Sequence, residues 1–157
     1  MEQTSIYQYD RLKYSNSIRL LVLQPGRPGS DIHCSLEPTT LSECHDDIYQ
    51  CYTALSYVCG DAKQRRVVFI DGLPLIVTVT LAAALDDLRD AQRTLRLWAD
   101  AICIDQSCIP ERNHQVSLMR DIYSLAPKTV IHLGKSNEQC EEVMNAALDR
   151  PFDSRLR

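Results

Sequence analysis

Hydrophobic and polar positions change period several times along this chain, and each change predicts an element. Ile18 to Leu23 (IRLLVL) reads as a strand. Pro25-Gly26-Arg27-Pro28-Gly29 carries turn chemistry, and Ile32 to Leu36 returns as the hairpin partner. Glu37 to Asp47 is polar and contains Pro38, so a connecting loop is expected there, with room for a short helix. Tyr49 to Val58 is rich in aromatic and β-branched residues and predicts a central strand running into Cys59-Gly60-Asp61. Val67 to Ile70 and Leu75 to Val79 flank Asp71-Gly72, a strong two-residue hairpin signal. Thr80 is placed to cap the helix that follows. Leu81, Ala84, Leu85, Leu88 and Ala91 form its apolar stripe, and Asp86, Asp87, Arg89 and Asp90 its wet face.

From Leu97 to Gly134 the pattern predicts strand, loop, helix and strand in succession. Leu97 to Ile104 is nearly continuous apolar sequence, broken once at Asp100. Such a run suits a strand covered on both faces. Pro110 then opens a helix, with Glu111 in its first turn where the helix dipole favours negative charge. Val116, Met119, Ile122, Tyr123 and Ala126 recur at helical spacing, and Pro127 stops the helix. Thr129 to Leu133 predicts another strand, closed by Gly134. Ser136-Asn137-Glu138-Gln139 has the form of a capping box, and the helix it starts runs to about Leu148 before Pro151.

This order predicts an α/β domain with a short, mostly parallel sheet flanked by helices, an N-terminal β-hairpin and an inserted β-hairpin. Residues 1–150 are expected to form one domain, with 151–157 a frayed or truncated tail. The length of 157 residues and apolar content of 45% fit one soluble globular unit. A net charge of −4 with no basic block gives no reason to expect nucleic acid. No apolar run approaches the roughly 20 residues of a membrane helix. The opening MEQTSIYQYDRLKY lacks the basic start and apolar core of a secretory signal. A cytoplasmic protein with reduced thiols is therefore expected, although the chain has seven cysteines. Cys34, Cys44, His45 and Cys51, and separately Cys103 and Cys108, lie near one another in sequence, but no C-x-x-C pair exists. No structural metal is expected from these spacings.

In open α/β sheets, ligands tend to bind beyond the carboxyl ends of the strands. Three such ends can be read, at Tyr57 to Asp61, at Asp105-Gln106-Ser107 and at Gly134-Lys135-Ser136. If those strands are parallel neighbours, Ser56, Asp61, Asp105, Gln106 and Ser136 converge on one rim, with Glu111, Glu141 and Glu142 on helices starting nearby. Each also has a plain structural reading. Asp105 and Gln106 suit the bracing of a loop, Glu111 suits a first helical turn, and Trp98 suits a core. Asp100 interrupts buried sequence and must find a partner; Arg96, Arg112 and Arg120 are candidates. No G-x-S-x-G elbow and no glycine-rich phosphate loop occurs.

Three blocks of this chain resemble the fungal heterokaryon incompatibility (HET) domain. YTALSYVCG, from Tyr52 to Gly60, is similar to the family's Y-x-A-L-S-Y-x-W-G. LWADAICIDQ, from Leu97 to Gln106, is similar to L-W-I-D-A-I-C-I-D-Q. The third block is Glu111 to Val116 with Met119 to Tyr123, followed by a strand ending in Leu133-Gly134. Cys59 stands where the family usually has tryptophan, and Ala99 where it usually has isoleucine. The resemblance implies a role in fungal non-self recognition and programmed cell death, exerted by self-assembly or by binding a partner protein. It also implies a distant kinship to Toll/interleukin receptor (TIR) domains, with a flavodoxin-like sheet. Some TIR domains hydrolyse NAD+ through a glutamate. On that alternative the chain is an NAD+ glycohydrolase that takes NAD+ as substrate rather than as cofactor, and Glu111, Glu141 and Glu142 are the catalytic candidates. The residues that carry the resemblance and the rim are Ser56, Tyr57, Gly60, Asp61, Trp98, Asp100, Asp105, Gln106 and Ser136.

Overall fold

In the computed structural model of the chain, residues 5–46 and 52–134 are described. The helix expected over 136–148, with Ser136, Glu141 and Glu142, lies outside them, as do Cys51 and the tail 151–157. The described elements are β1 (Ser17–Leu23), β2 (His33–Thr40), α1 (Leu41–Asp46), β3 (Thr53–Tyr57), β4 (Arg65–Ile70) and β5 (Leu73–Thr78), then α2 (Val79–Leu88), β6 (Leu95–Trp98), α3 (Asp100–Cys103), α4 (Ile109–Leu125) and β7 (Lys128–His132). The strands form one sheet in the order β5-β4-β2-β1-β6-β3-β7. The α/β class is the one the sequence predicts. Parallel pairing joins β6, β3 and β7, and touches β2 and β4 briefly. Elsewhere the pairing is antiparallel, so the sheet is mixed and mostly antiparallel rather than mostly parallel as expected, because two hairpins and the β1–β6 pair join it on one side of β6.

β1 sits at the middle of the sheet with all seven residues buried, which is why its sequence runs apolar on both faces. The expected hairpin with β2 forms, in register from Ser17 opposite Thr40 to Leu23 opposite Cys34. β2 continues through Pro38, where a loop is expected from sequence. The Cys34 carbonyl faces away from β1 and accepts from the Asp71 N–H. Four residues on, the Pro38 nitrogen faces the same way, past the end of β4, so no ladder bond is lost. The loop joining β1 to β2 is held by Arg89, whose guanidinium donates to the carbonyls of Asp31 (2.8 Å), Arg27 (2.5 Å) and Ser30 (3.1 Å), and pairs with Asp86.

Asp71 (φ 51°) and Gly72 (φ 80°) make the predicted tight turn between β4 and β5. The helix after it is capped by Thr78 rather than Thr80. α2 begins at Val79, so the Thr78 hydroxyl accepts from the Leu81 N–H, while Thr80 donates to the Cys59 carbonyl at 3.1 Å. Beyond α2 the Asp90 carboxylate accepts from the main-chain N–H groups of Gln92 (2.7 Å) and Arg93 (2.8 Å). These two bonds hold its carboxyl below the usual carboxylate range. A depressed folded-state pKa contributes stability above the unfolded value and loses it as pH falls through the folded value. Asp90→Asn should therefore lower stability at pH 7 and flatten the acid limb of stability against pH below about 4. Urea titrations at stepped pH measure this.

The run Leu97 to Ile104 is not one strand. β6 stops at Trp98, and Asp100 opens the single turn α3, its carboxylate accepting from the Ala101 N–H at 2.8 Å. Trp98, Ala99, Ile102, Cys103 and Ile104 are all buried. Apolar sequence alone does not separate a buried strand from a buried helical turn. In α4 the inward face is Gln115, Leu118, Met119, Ile122 and Tyr123, so Val116, one residue off that stripe, is exposed. The buried Gln115 amide donates to the Ser17 carbonyl at 2.8 Å.

Burial pushes the Cys103 and Cys34 thiols up to about 12. At pH 8 such thiols are almost wholly protonated and unreactive. Iodoacetamide should thus label the exposed Cys59 in the folded chain. Cys34 and Cys103 should react only after unfolding, as peptide mass mapping would report.

Candidate functional site at the strand ends

Because β6, β3 and β7 run parallel, Trp98, Tyr57 and His132 leave the sheet on one edge. There the chain passes through α3 and the Asp105–Cys108 loop into α4. Two clusters hold this region together. In the first, the Tyr57 hydroxyl lies beside the Asp100 carboxylate; burial, then the Asp100 charge, raise the Tyr57 pKa. The Gln106 amide donates to the Asp100 carbonyl at 3.0 Å. Asp100 is partnered by Tyr57 and by main chain, not by the three arginines considered from sequence. Of these, Arg96 pairs with Glu37 at 3.3 Å.

The second cluster centres on Arg19, a buried guanidinium that sequence inspection passed over. It donates to both oxygens of Glu111 (2.5 and 3.1 Å), to the Cys103 carbonyl (3.2 Å) and to the Asp10 carbonyl (2.6 Å). The Tyr9 ring lies 5.0 Å from it, and the Tyr9 hydroxyl donates to the Ile102 carbonyl at 2.8 Å. Burial on its own would lower the guanidinium pKa. The hydrogen bond and charge of Glu111 outweigh it, and Arg19 stays above its ordinary value. Glu111 also accepts from the Asp105 N–H at 3.0 Å, so this carboxylate has all its bonds inside the fold. The available signal for Arg19 was a lone charge within the apolar run IRLLVL.

The other rim residues divide. Asp105 accepts from the N–H and the hydroxyl of Ser107 (3.0 and 2.6 Å). Asp105, Gln106 and Ser107 line a cavity of about 640 Å3, which Arg65, Thr78 and Tyr9 also border. Asp61 lies in another loop, where it accepts from the Lys63 N–H at 2.9 Å; it does not line that cavity. Ser56 is half-buried in β3 opposite Ile131. Trp98 is fully buried, edge-on to Tyr123 at 5.6 Å. Gly60 (φ 61°) packs so closely on Thr80 that a Cβ there would collide with the threonine methyl. Cys59, at the family's tryptophan position, is exposed and does not border the cavity. Ser136, Glu141 and Glu142 lie outside the described residues. Among the described residues, no group of three or more His, Cys, Asp or Glu side chains is placed to hold a metal ion. No described helix is long and apolar enough to cross a membrane.

The blocks that carry the resemblance are thus joined physically: Tyr52 of the first donates to the Ile122 carbonyl of the third, and Tyr57 of the first meets Asp100 of the second. Comparison with known proteins agrees with this grouping. The profile of the family described as "Heterokaryon incompatibility protein (HET)" matches residues 52–155. "Heterokaryon incompatibility protein 6, OR allele" of Neurospora crassa is 34% identical over 159 aligned positions. That alignment covers 90% of this chain and 23% of the relative, so the chain spans under a quarter of that protein. No solved structure matches the chain. On the family match over more than half its length, and on this relative, the chain belongs to the heterokaryon incompatibility (HET) family.

Proposed function

We propose that the chain acts in fungal heterokaryon incompatibility as an interaction module, triggering cell death by binding a partner protein or further copies of itself. One observation carries this reading. The polar and aromatic side chains of the family blocks, Tyr52, Tyr57, Asp100 and Glu111, are bonded or packed into the fold, whereas large apolar side chains stand exposed on the edge strands. Ile131 and Leu133 at the end of β7 are 67% and 66% exposed. Exposed apolar groups at a sheet edge favour association.

Growth of a fungal host expressing the chain tests the proposal. Charging the surface with Ile131→Asp and Leu133→Asp should abolish growth arrest while circular dichroism stays unchanged. Purified chain incubated with NAD+ should release no nicotinamide. Nicotinamide release that disappears in Glu141→Gln or Glu142→Gln would replace this reading with the enzyme.

A further inference from the structure

We infer that the outer edge of β5 is a docking site for an extended, acidic peptide segment of a partner protein, which joins the sheet as an additional strand. The inference rests on the interaction-module reading and names the kind of partner.

Hairpin geometry decides which main-chain groups face outward. The two-residue turn Asp71-Gly72 closes on the pair Ile70 and Leu73. In such a hairpin the closing pair exchanges both hydrogen bonds, and bonded pairs then alternate. Leu73, Leu75 and Val77 therefore turn their main chain toward β4, and Pro74, Ile76 and Thr78 turn theirs away. Two hydrogen bonds agree with this parity. The Pro74 carbonyl accepts from the Tyr7 N–H outside the sheet at 3.2 Å, and Phe69, opposite Pro74, donates away from β5 to the Ile32 carbonyl at 2.9 Å. A proline at an outward position leaves the ladder whole. Beyond Tyr7, no main-chain partner meets the Ile76 N–H and C=O or the Thr78 N–H among the described residues.

These groups face a groove rather than open solvent. Leu75, Ile76, Val77 and Thr78 all border the 640 Å3 cavity. Successive side chains of a strand point to opposite faces, so four in a row mean that the strand's edge forms the wall. Segment 7–9 and the Asp105–Ser107 loop form the far side. Of the devices that defend an edge, β5 has Pro74 and the Tyr7 contact at its first turn, but no lysine or inward charge along Leu75 to Thr78.

Charge and apolar surface select the occupant. Arg65 borders the groove, and neither it nor its exposed neighbours Lys63 and Arg66 makes an ion pair among the described residues; Asp105, the carboxylate that also borders the groove, accepts from the N–H and hydroxyl of Ser107. The Arg65 Nε donates to the Ala62 carbonyl at 2.6 Å, which leaves both terminal nitrogens for a carboxylate. Val67 and Ile76 oppose each other across the two strands and are 46% and 57% exposed, an apolar seat for a side chain of an added strand. Arg65, Val67 and Ile76 share one face, so the fitting segment alternates, with apolar and acidic residues together on that face.

The probe is the acetylated, amidated heptapeptide Thr-Val-Thr-Glu-Thr-Val-Thr, whose two valines and glutamate share one face, titrated into the isotope-labelled 157-residue chain. The Ile76 and Thr78 amide resonances should shift saturably. Affinity should fall about tenfold for the lysine version of the peptide and in Arg65→Glu. Binding should vanish in Ile76→Pro, which removes the donor, and survive in Ile76→Ala, which keeps it. Absence of any shift at these two amides up to about 1 mM peptide overturns the assignment. So does undiminished binding of a backbone N-methylated peptide, and so does protection of the Ile76 amide from hydrogen exchange in the free chain, which would mean the chain's own residues cover the edge. Binding is read directly, so its failure removes this edge alone, whereas nicotinamide release removes the interaction reading.

Discussion

Arg19→Met should destabilise the chain by about 3–5 kcal/mol and lower its melting temperature by roughly 10 °C. Arg19 and Glu111 are only 4% and 13% exposed in their side chains, so the pair is not screened like a surface ion pair. With Arg19 gone, Glu111 keeps the Asp105 N–H and loses both charged bonds, leaving a carboxylate poorly compensated in a dry site. The Cys103 and Asp10 carbonyls lose their donor as well. The double change Arg19→Met with Glu111→Leu should recover part of the loss, because replacing a whole buried pair by apolar groups is often close to neutral. Thermal melts followed by circular dichroism measure all three chains. A loss below about 1 kcal/mol for the single change would place the pair in solvent-like surroundings and contradict its burial.

Trp98→Ala should cost about 3–5 kcal/mol, through lost burial and the cavity left behind. Trp98→Phe should cost about 1–2 kcal/mol. The difference follows from the indole N–H, which has no acceptor among the described residues. Phenylalanine therefore gives up volume and no hydrogen bond, and it preserves an edge contact with Tyr123. Urea denaturation of both variants is the measurement. Equal losses would assign the tryptophan's value to its N–H instead of its bulk.

Both residues belong to a scaffold that the local pattern revealed unevenly. The β1–β2 hairpin, the Asp71-Gly72 turn and the Pro110 and Pro127 limits of α4 were legible because each is set by neighbouring residues. Misreadings arose where context decided. Ala99 to Ile104 is apolar enough for a strand, yet the chain leaves the sheet at Trp98. Val116 fits a loose helical stripe, yet Gln115 takes the inward place because Ser17 offers its carbonyl there. Thr78 and Thr80 both suit a helix cap, and only the observed start of α2 at Val79 separates them.

The candidate site divides on the same principle. That Asp100, Asp105, Gln106 and Glu111 lie near one another follows from their closeness in sequence around one loop. Their roles do not. Glu111 becomes a structural carboxylate because Arg19, 92 positions earlier, is brought beside it. Asp100 is partnered by Tyr57 because β3 and β6 pair in parallel.

Read alone, the amino-acid string determined the family, the α/β class and the tight turns, since hydrophobic period, turn chemistry and motif wording are all encoded within short windows. Tertiary structure alone decided strand order, the pairing of Arg19 with Glu111 and the place of β5 at the end of the sheet. Those depend on which distant segments become neighbours, and the free energy of such contacts arises only when water is expelled from between them.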